Sequence, residues 1–289
     1  MTCTVTVLAS GPLTTVQDAG RMGLAALGVG RSGACDRASY SLANRLVGNA
    51  AGAAALEVTF GGLRLRADGD VLIVTTGGRC SGGAHNAPML VRRGDELRLG
   101  APNSGLRTYV AVRGGLRVDP VLGSCATDVL SGLGPAVVTA GDVLEVDEPT
   151  SPAPGVDVAP VAEPVAGDLT VSVTQGPRRD WFSNDAWTTL LSSPYTVSPD
   201  SNRVGLRLTG AALRRRRRDE LPSEGLVRGA LQIPPSAGPV LFLADHPVTG
   251  GYPVLAYVDD PEVDRCAQLR PGQRVSFRVR AEQARTTPP

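Results

Sequence analysis

The chain has 289 residues, 42% of them hydrophobic, with 29 basic against 28 acidic side chains and a formal charge of +1. Every basic residue is Arg, because no Lys occurs. That absence excludes a Walker A loop, Schiff-base or pyridoxal chemistry, and covalent biotin or lipoate on this chain, since each needs the Lys amine itself. The balanced charge offers no field to gather nucleic acid or anionic membrane, and the apolar content supports packed cores rather than general disorder.

From the N-terminus, Cys3–Val7 alternates with a period of two and predicts a half-buried strand. Asp36 then caps a helix whose Leu42, Ala43, Leu46 and Val47 share a face, with Gly48-Asn49 as its stop. Leu56–Phe60, Leu63–Arg66, Tyr109–Arg113, Leu169–Val173 and Val275–Val279 repeat the strand pattern, with Gly and Pro as punctuation. Ser183 is the expected cap of a shorter helix through Ala186, Trp187, Leu190 and Leu191, closed by Pro194. Segments beginning Gly94-Asp95, Gly141-Asp142 and Gly272-Gln273 share a glycine, a polar residue and an alternating strand, a weak repeat spanning both halves. Residues 148–167, rich in Pro and Ala, read as a linker or surface loop between a first half (1–147) and a second (168–281), with 282–289 as a tail.

No apolar stretch approaches the roughly 20 residues that span a bilayer, and the N-terminus lacks a signal-peptide pattern, so a cytoplasmic location is expected. Five widely spaced cysteines read as reduced thiols, and two distant histidines give no basis for a metal site.

Three motifs could carry chemistry. Thr14–Arg21 and Gly28–Arg37 are Gly-rich turns leading into the capped helix, where backbone N–H groups with Arg21, Arg31 and Arg37 could meet an anion; the competing reading is a set of tight turns with solvated Arg side chains. Ser198–Gly205 is a polar turn in which Arg203, at a strand mouth, could bind a carboxylate or phosphate bidentately. Glu220–Gly225 and Asp245–Pro253 bring a candidate base, Glu224, and a Thr-Gly-Gly-Tyr-Pro loop whose hydroxyl and amides suit a carbonyl oxygen; a plain glycine turn is the alternative. The run Arg214–Arg218 is followed by Asp219 and Glu220 and has no interleaved aromatics, so it reads as a solvated loop and not a nucleic-acid site. Cys35 and Cys125 have no nearby base and read as small buried thiols.

The succession TTVQDAGRMG, GVGRSGACDRASYSLANRLVGN, ALEVTFGG, VTQGPRRDWFSNDAW, YTVSPDSNRVGLRLTG, DELPSEGLVRGALQIPP, LADHPVTGGYPVLAYV and LRPGQRVSF resembles the biotin-dependent carboxyltransferase / allophanate hydrolase subunit 2 family over nearly the whole chain. That family includes the C subunit of 5-oxoprolinase, KipA-type proteins and part of urea carboxylase. The resemblance implies a mainly β fold of tandem cyclophilin-like β-barrels with a few short helices. It implies one component of a hydrolase, inactive alone, that opens a cyclic amide with ATP beside two partners, a KipI-like B subunit and an A subunit. The ATP is shared with or held by those partners. Other implied roles are a KipA-type antagonist of a KipI-like kinase inhibitor, or a carboxyltransferase component acting on urea or a related amide. Carried onto this sequence, it makes Gln17, Asp18, Arg21, Ser32, Asp36, Arg203, Glu224 and Thr249–Pro253 the walls of one cleft. The expected roles are Arg203 for a substrate carboxylate; Thr249, Gly250 and Gly251, beside Tyr252, for the developing oxyanion; and Glu224 as base or Arg anchor. Cys35 stands where the family commonly has Met, which points to packing, and His246 stands where a small or amide residue is expected.

Overall fold

The computed structural model describes residues 3–217, 219, 221–235 and 238–280. Each alternating segment forms a strand. In the first half these are β1 (Cys3–Ser10), β2 (Leu13–Gln17), β3 (Ala55–Thr59), β4 (Leu63–Ala67), β5 (Val71–Gly77), β6 (Met89–Val91), β7 (Glu96–Arg98), β8 (Arg107–Val112) and β9 (Val143–Val146), with helix α1 (Arg37–Leu46) between β2 and β3. They build a sheet of order β7-β4-β1-β9 and a second of order β2-β3-β8-β5-β6. Val5, Val7, Leu63, Leu65 and Leu97 of one sheet meet Val16, Leu56, Val58, Ile73, Val110 and Val112 of the other in a shared core. Each such fully buried aliphatic side chain contributes roughly 1.5–3 kcal/mol.

The second half contains β10 (Leu169–Gln175), α2 (Ala186–Ser192), β11 (Tyr195–Val197), β12 (Gly205–Thr209), β13 (Glu224–Gly225), β14 (Ala230–Gln232), β15 (Val240–Phe242), β16 (Thr249–Gly250), β17 (Val254–Val258), α3 (Asp260–Cys266) and β18 (Arg274–Val279). Seven strands close a barrel in the order β10-β17-β14-β15-β12-β11-β18, while β13 and β16 form a separate two-stranded ribbon. Strands β10 and β18 close it in parallel, Leu169 opposite Val275 and Val173 opposite Val279.

The weak repeat has a backbone cause. Gly94, Gly141 and Gly272 all take left-handed φ, at +87°, +98° and +89°. A Cβ is disfavoured there, so the turn selects glycine ahead of each strand.

Asp36 caps α1 as expected, accepting from the Ser39 amide at 2.9 Å. The helix buries Tyr40, Ala43, Leu46 and Val47 against Ala55, Val74, Tyr109 and Ala111. The Ser183 cap is corrected: α2 begins three residues later with Asp185 at its N-cap, and the Ser183 hydroxyl bonds the Arg214 carbonyl at 3.2 Å instead. Helix α3 escaped the periodicity argument because it is short; its signals were Pro261 in the first turn, acidic residues around it and Arg265 at its end.

Residues 148–167 hold no strand or helix, yet they are tied down. Glu163 pairs with Arg79 at 2.6 Å, the Ala159 amide donates to the Asn86 carbonyl at 2.8 Å, and the Gly167 carbonyl accepts from Gln273 at 2.7 Å. The segment is a strap held by both halves. The expected tail, 282–289, lies outside the described residues.

Candidate functional site

The glycine turns before α1 pack loop on loop. A Cβ on Gly20 would lie 2.6 Å from the Arg31 carbonyl oxygen, and one on Gly33 would lie 2.8 Å from the Gly20 nitrogen. The motif therefore serves close backbone approach. The α1 N-terminus is already supplied with anions: the Arg37 and Ala38 amides donate to the Asp264 carboxylate of α3 at 3.0 and 3.2 Å, and Asp36 holds the Ser39 amide. Nor do the three Arg converge there. Arg21 donates to the Val121 and Ala126 carbonyls, Arg31 to the Ala19 carbonyl, and Arg37 pairs with Asp260. The anion expected at this helix start is the protein's own Asp264, and these residues do not fit the phosphates of ATP.

Gln17 and Asp18 work with Arg21 on a neighbouring segment. Gln17 donates to the Thr127 carbonyl at 2.9 Å, and Asp18 accepts from the Ser124 hydroxyl and the Cys125 amide at 2.7 and 2.6 Å. All three side chains are buried. They fix the 121–127 segment in place and present no wall to a ligand.

Arg203 is the largest correction. It is 1% exposed, and its guanidinium donates to Asp245 through Nε at 2.9 Å and Nη2 at 3.0 Å, to the Gly33 carbonyl through Nη2 at 2.7 Å, and to Glu57 through Nη1. Its donors are committed inside the protein, so no substrate carboxylate reaches it. Glu57 also accepts from Tyr109 at 2.7 Å and the Cys35 amide at 2.9 Å, and lies 3.4 Å from Arg107. Two guanidiniums thus balance two carboxylates at the seam between the halves. Burial alone would raise the Glu57 pKa, but Arg203 and Arg107 outweigh it and hold it below the ordinary 4.5. Cys35 is buried beside this cluster and its thiol is pushed up by burial, consistent with packing.

One carboxylate organises what lies above. Asp245 accepts from Arg203, from the Ser32 hydroxyl at 2.6 Å and from the Val129 amide at 3.1 Å. Ser32 takes a left-handed φ of +54°. The loop before α1, the 128–131 turn and the loop after β15 are therefore pinned to a single side chain. Between them opens a cleft of about 470 Å³ lined by Gly28, Gly30, Asp128, Ser131, His246 and Thr249. Asp128 is buried and shapes its turn by accepting from the Leu130 and Ser131 amides at 2.9 and 3.1 Å.

His246 places an imidazole in the cleft lining. Its Nδ1 lies 2.9 Å from the Pro247 carbonyl oxygen, a contact that requires Nδ1 to carry the proton and leaves the Nε2 lone pair free. Burial lowers the pKa of the ring below 6.5, so it is neutral at pH 7. Thr249 is exposed at the cleft edge. Gly250 sits opposite Glu224 in the β13–β16 ribbon, Gly251 is half-buried, and Tyr252, 46% exposed, is outside the cleft lining.

Glu224 stands apart, donor-paired by Arg178 through Nε at 3.0 Å. Its carboxylate is engaged by Arg178, the arrangement of an Arg anchor. Asp36 is likewise elsewhere, between Ser39 and Gln268, with its carboxyl raised by burial against the pull of those bonds. Of the residues expected in one cleft, only Thr249 lines it, with Ser32 supporting it from below. Glu57, Asp128 and Asp264 were missed, and Asp245 was named only as the start of the 245–253 motif, with no role. A Glu inside the otherwise apolar Ala55–Val58 strand was the available signal for Glu57.

Within the Arg run, Arg215 and Arg217 lie 5.5 and 4.8 Å over the Trp181 ring, and Arg217 faces Asp180 and Asp219, each at 3.6 Å. Arg218 and Glu220 lie outside the described residues. Among the described residues no helix is long and apolar enough to cross a membrane, and no three His, Cys, Asp or Glu side chains gather as metal ligands.

The family model for the carboxyltransferase domain, subdomain A and B, matches residues 27–279. The chain is 34% identical to the C subunit of 5-oxoprolinase from Escherichia coli over 94% of its own length and 89% of that protein. The crystal structure of TTHA0988 superposes with a TM-score of 0.84 at 34% identity, covering 95% of this chain and 55% of that one. The Kluyveromyces lactis urea amidolyase gives a TM-score of 0.88 at 30% identity, over 97% of this chain and 19% of that one. The chain thus spans about half and a fifth of these two solved chains. It belongs to the carboxyltransferase domain family, subdomains A and B.

Proposed function

We propose that the chain is the C subunit of a 5-oxoprolinase-type, ATP-dependent amidohydrolase, working with a KipI-like B subunit and an A subunit. The observation that carries this reading is the seam cleft, where loops from both halves are pinned on Asp245 around a neutral imidazole. In the proposed role the substrate amide lies in the cleft, His246 Nε2 accepts the proton of the attacking nucleophile, a part peculiar to this branch of the family, and the Thr249 hydroxyl donates to the oxygen that gains charge. In this reading ATP is shared with or held by the two partners; the α1 amides, taken by Asp36 and Asp264, support no phosphate site at that helix start. The 34% identity to a 5-oxoprolinase component across 94% of the chain favours this substrate class. The likeness to urea amidolyase favours a second reading, carboxyl transfer to urea or a related amide from a biotin carried by another chain.

This chain and its two purified partners, mixed with ATP and 5-oxoproline, should form glutamate only when all three are present. Glutamate formation by the two partners alone would refute the assignment. Retention of a biotinylated protein on this chain, with no glutamate formed, would support the second reading.

A further inference from the structure

A second cavity, of about 340 Å³, lies among α1, α3 and the strap. That volume is within the range of small-molecule sites, roughly 300–1,000 Å³. Leu42, Val161, Pro164 and Pro261 contribute apolar wall. Most of its polar groups are already satisfied. Gln268 donates to Asp36 and the Arg107 carbonyl and accepts from the Leu106 and Arg107 amides, and the Ser39 hydroxyl donates to Asp36.

Two groups are not. Asn86 lines the cavity, is 5% exposed, and its carboxamide has no partner among the described residues. Its neighbour His85 also lines the cavity and has a buried Nδ1 without a partner among those residues. The Asn86 backbone is held in place: φ is +56°, its amide donates to the Thr75 carbonyl at 2.7 Å, and its carbonyl accepts from Ala159 of the strap at 2.8 Å. A left-handed backbone fixed at both ends presents an uncommitted donor and acceptor side by side. The charged groups around the cavity set the charge of its ligand. Asp36, Asp264 and Glu163 line it but are each already bonded, to Ser39 and Gln268, to Arg228, and to Arg79; Arg265, the cation beside them, is 49% exposed and faces Glu262 at 3.6 Å.

We propose that this cavity is a binding site for a small neutral molecule carrying a cis-amide edge, an N–H beside a C=O, which Asn86 engages with two antiparallel hydrogen bonds. The complementarity is that of one carboxamide for another. The lining offers an anionic ligand no uncommitted cation, since Arg265 faces Glu262, so the site is distinct in chemistry from one built for an acid. It is separate from the seam cleft and independent of the reaction proposed there.

The test is titration calorimetry of the full chain with 2-pyrrolidinone, and with N-methyl-2-pyrrolidinone, which lacks the N–H. The first should bind at millimolar concentration and the second at least roughly tenfold more weakly, because one hydrogen bond is lost and the Asn86 oxygen left bare. Asn86→Gly tolerates the left-handed φ, so it should keep the melting temperature while weakening 2-pyrrolidinone by a similar factor. His246→Ala, in the other cleft, should leave binding unchanged. Equal affinity for the two probes, loss of binding in His246→Ala but not Asn86→Gly, or no saturable binding up to roughly 50 mM would each overturn the proposal.

Discussion

Replacing Arg203 by Met separates a structural centre from a substrate-binding residue. The guanidinium is 1% exposed and donates to Glu57, Asp245 and the Gly33 carbonyl. Met preserves most of the volume but leaves two buried carboxylates with only Arg107 to offset them. Breaking one side of such a buried ion pair costs about 3–5 kcal/mol, because the remaining charge is uncompensated. With roughly 2–4 °C lost per kcal/mol in a chain of this size, the melting temperature should fall by about 6–20 °C. Thermal unfolding followed by circular dichroism reads this directly. Adding Glu57→Gln removes one stranded charge, so the double variant should be more stable than Arg203→Met alone. If Arg203→Met melts within about 2 °C of the parent while the assembled enzyme's KM for substrate rises, the residue binds substrate and its structural role is refuted.

Acid stability should bear the mark of Glu57. Its folded pKa lies below 4.5, so the folded state holds fewer protons than the unfolded one; the stabilisation is complete above about 4.5 and is lost as pH falls through the lower folded value. Urea titrations between about pH 3 and 6 should show a shallower acid limb in Glu57→Gln, and an unchanged limb would contradict this. Asp36→Ala removes the α1 cap and the Gln268 contact, and should cost about 1–2 kcal/mol in the same assay. Arg178→Ala should leave turnover of the assembled enzyme within about twofold, since Glu224 is paired with it outside the cleft; a tenfold loss would return Glu224 to the catalytic machinery.

Local structure was legible where the cause was local. Asp36, the α1 stripe and the left-handed glycines at 94, 141 and 272 declare themselves within a few residues. The site was not, because its contacts join distant positions: Ser32 to Asp245, Glu57 to Arg203 and Arg37 to Asp264. An Arg at a strand mouth reads the same whether its partner is a substrate or a carboxylate from the other half. The Gly-rich turns were ambiguous for the same reason: close loop packing and phosphate binding both require glycine. His246 was visible as an oddity, but its tautomer depends on the Pro247 carbonyl, which is a matter of geometry.

Whether catalysis occurs in the seam cleft is decided by steady-state kinetics of the three-component complex, with His246→Ala in place of the parent chain. The expected result is a fall in kcat for glutamate formation of roughly 100-fold or more, while the complex still assembles and the chain's melting temperature holds. An unchanged kcat in an intact complex would contradict a catalytic seam cleft.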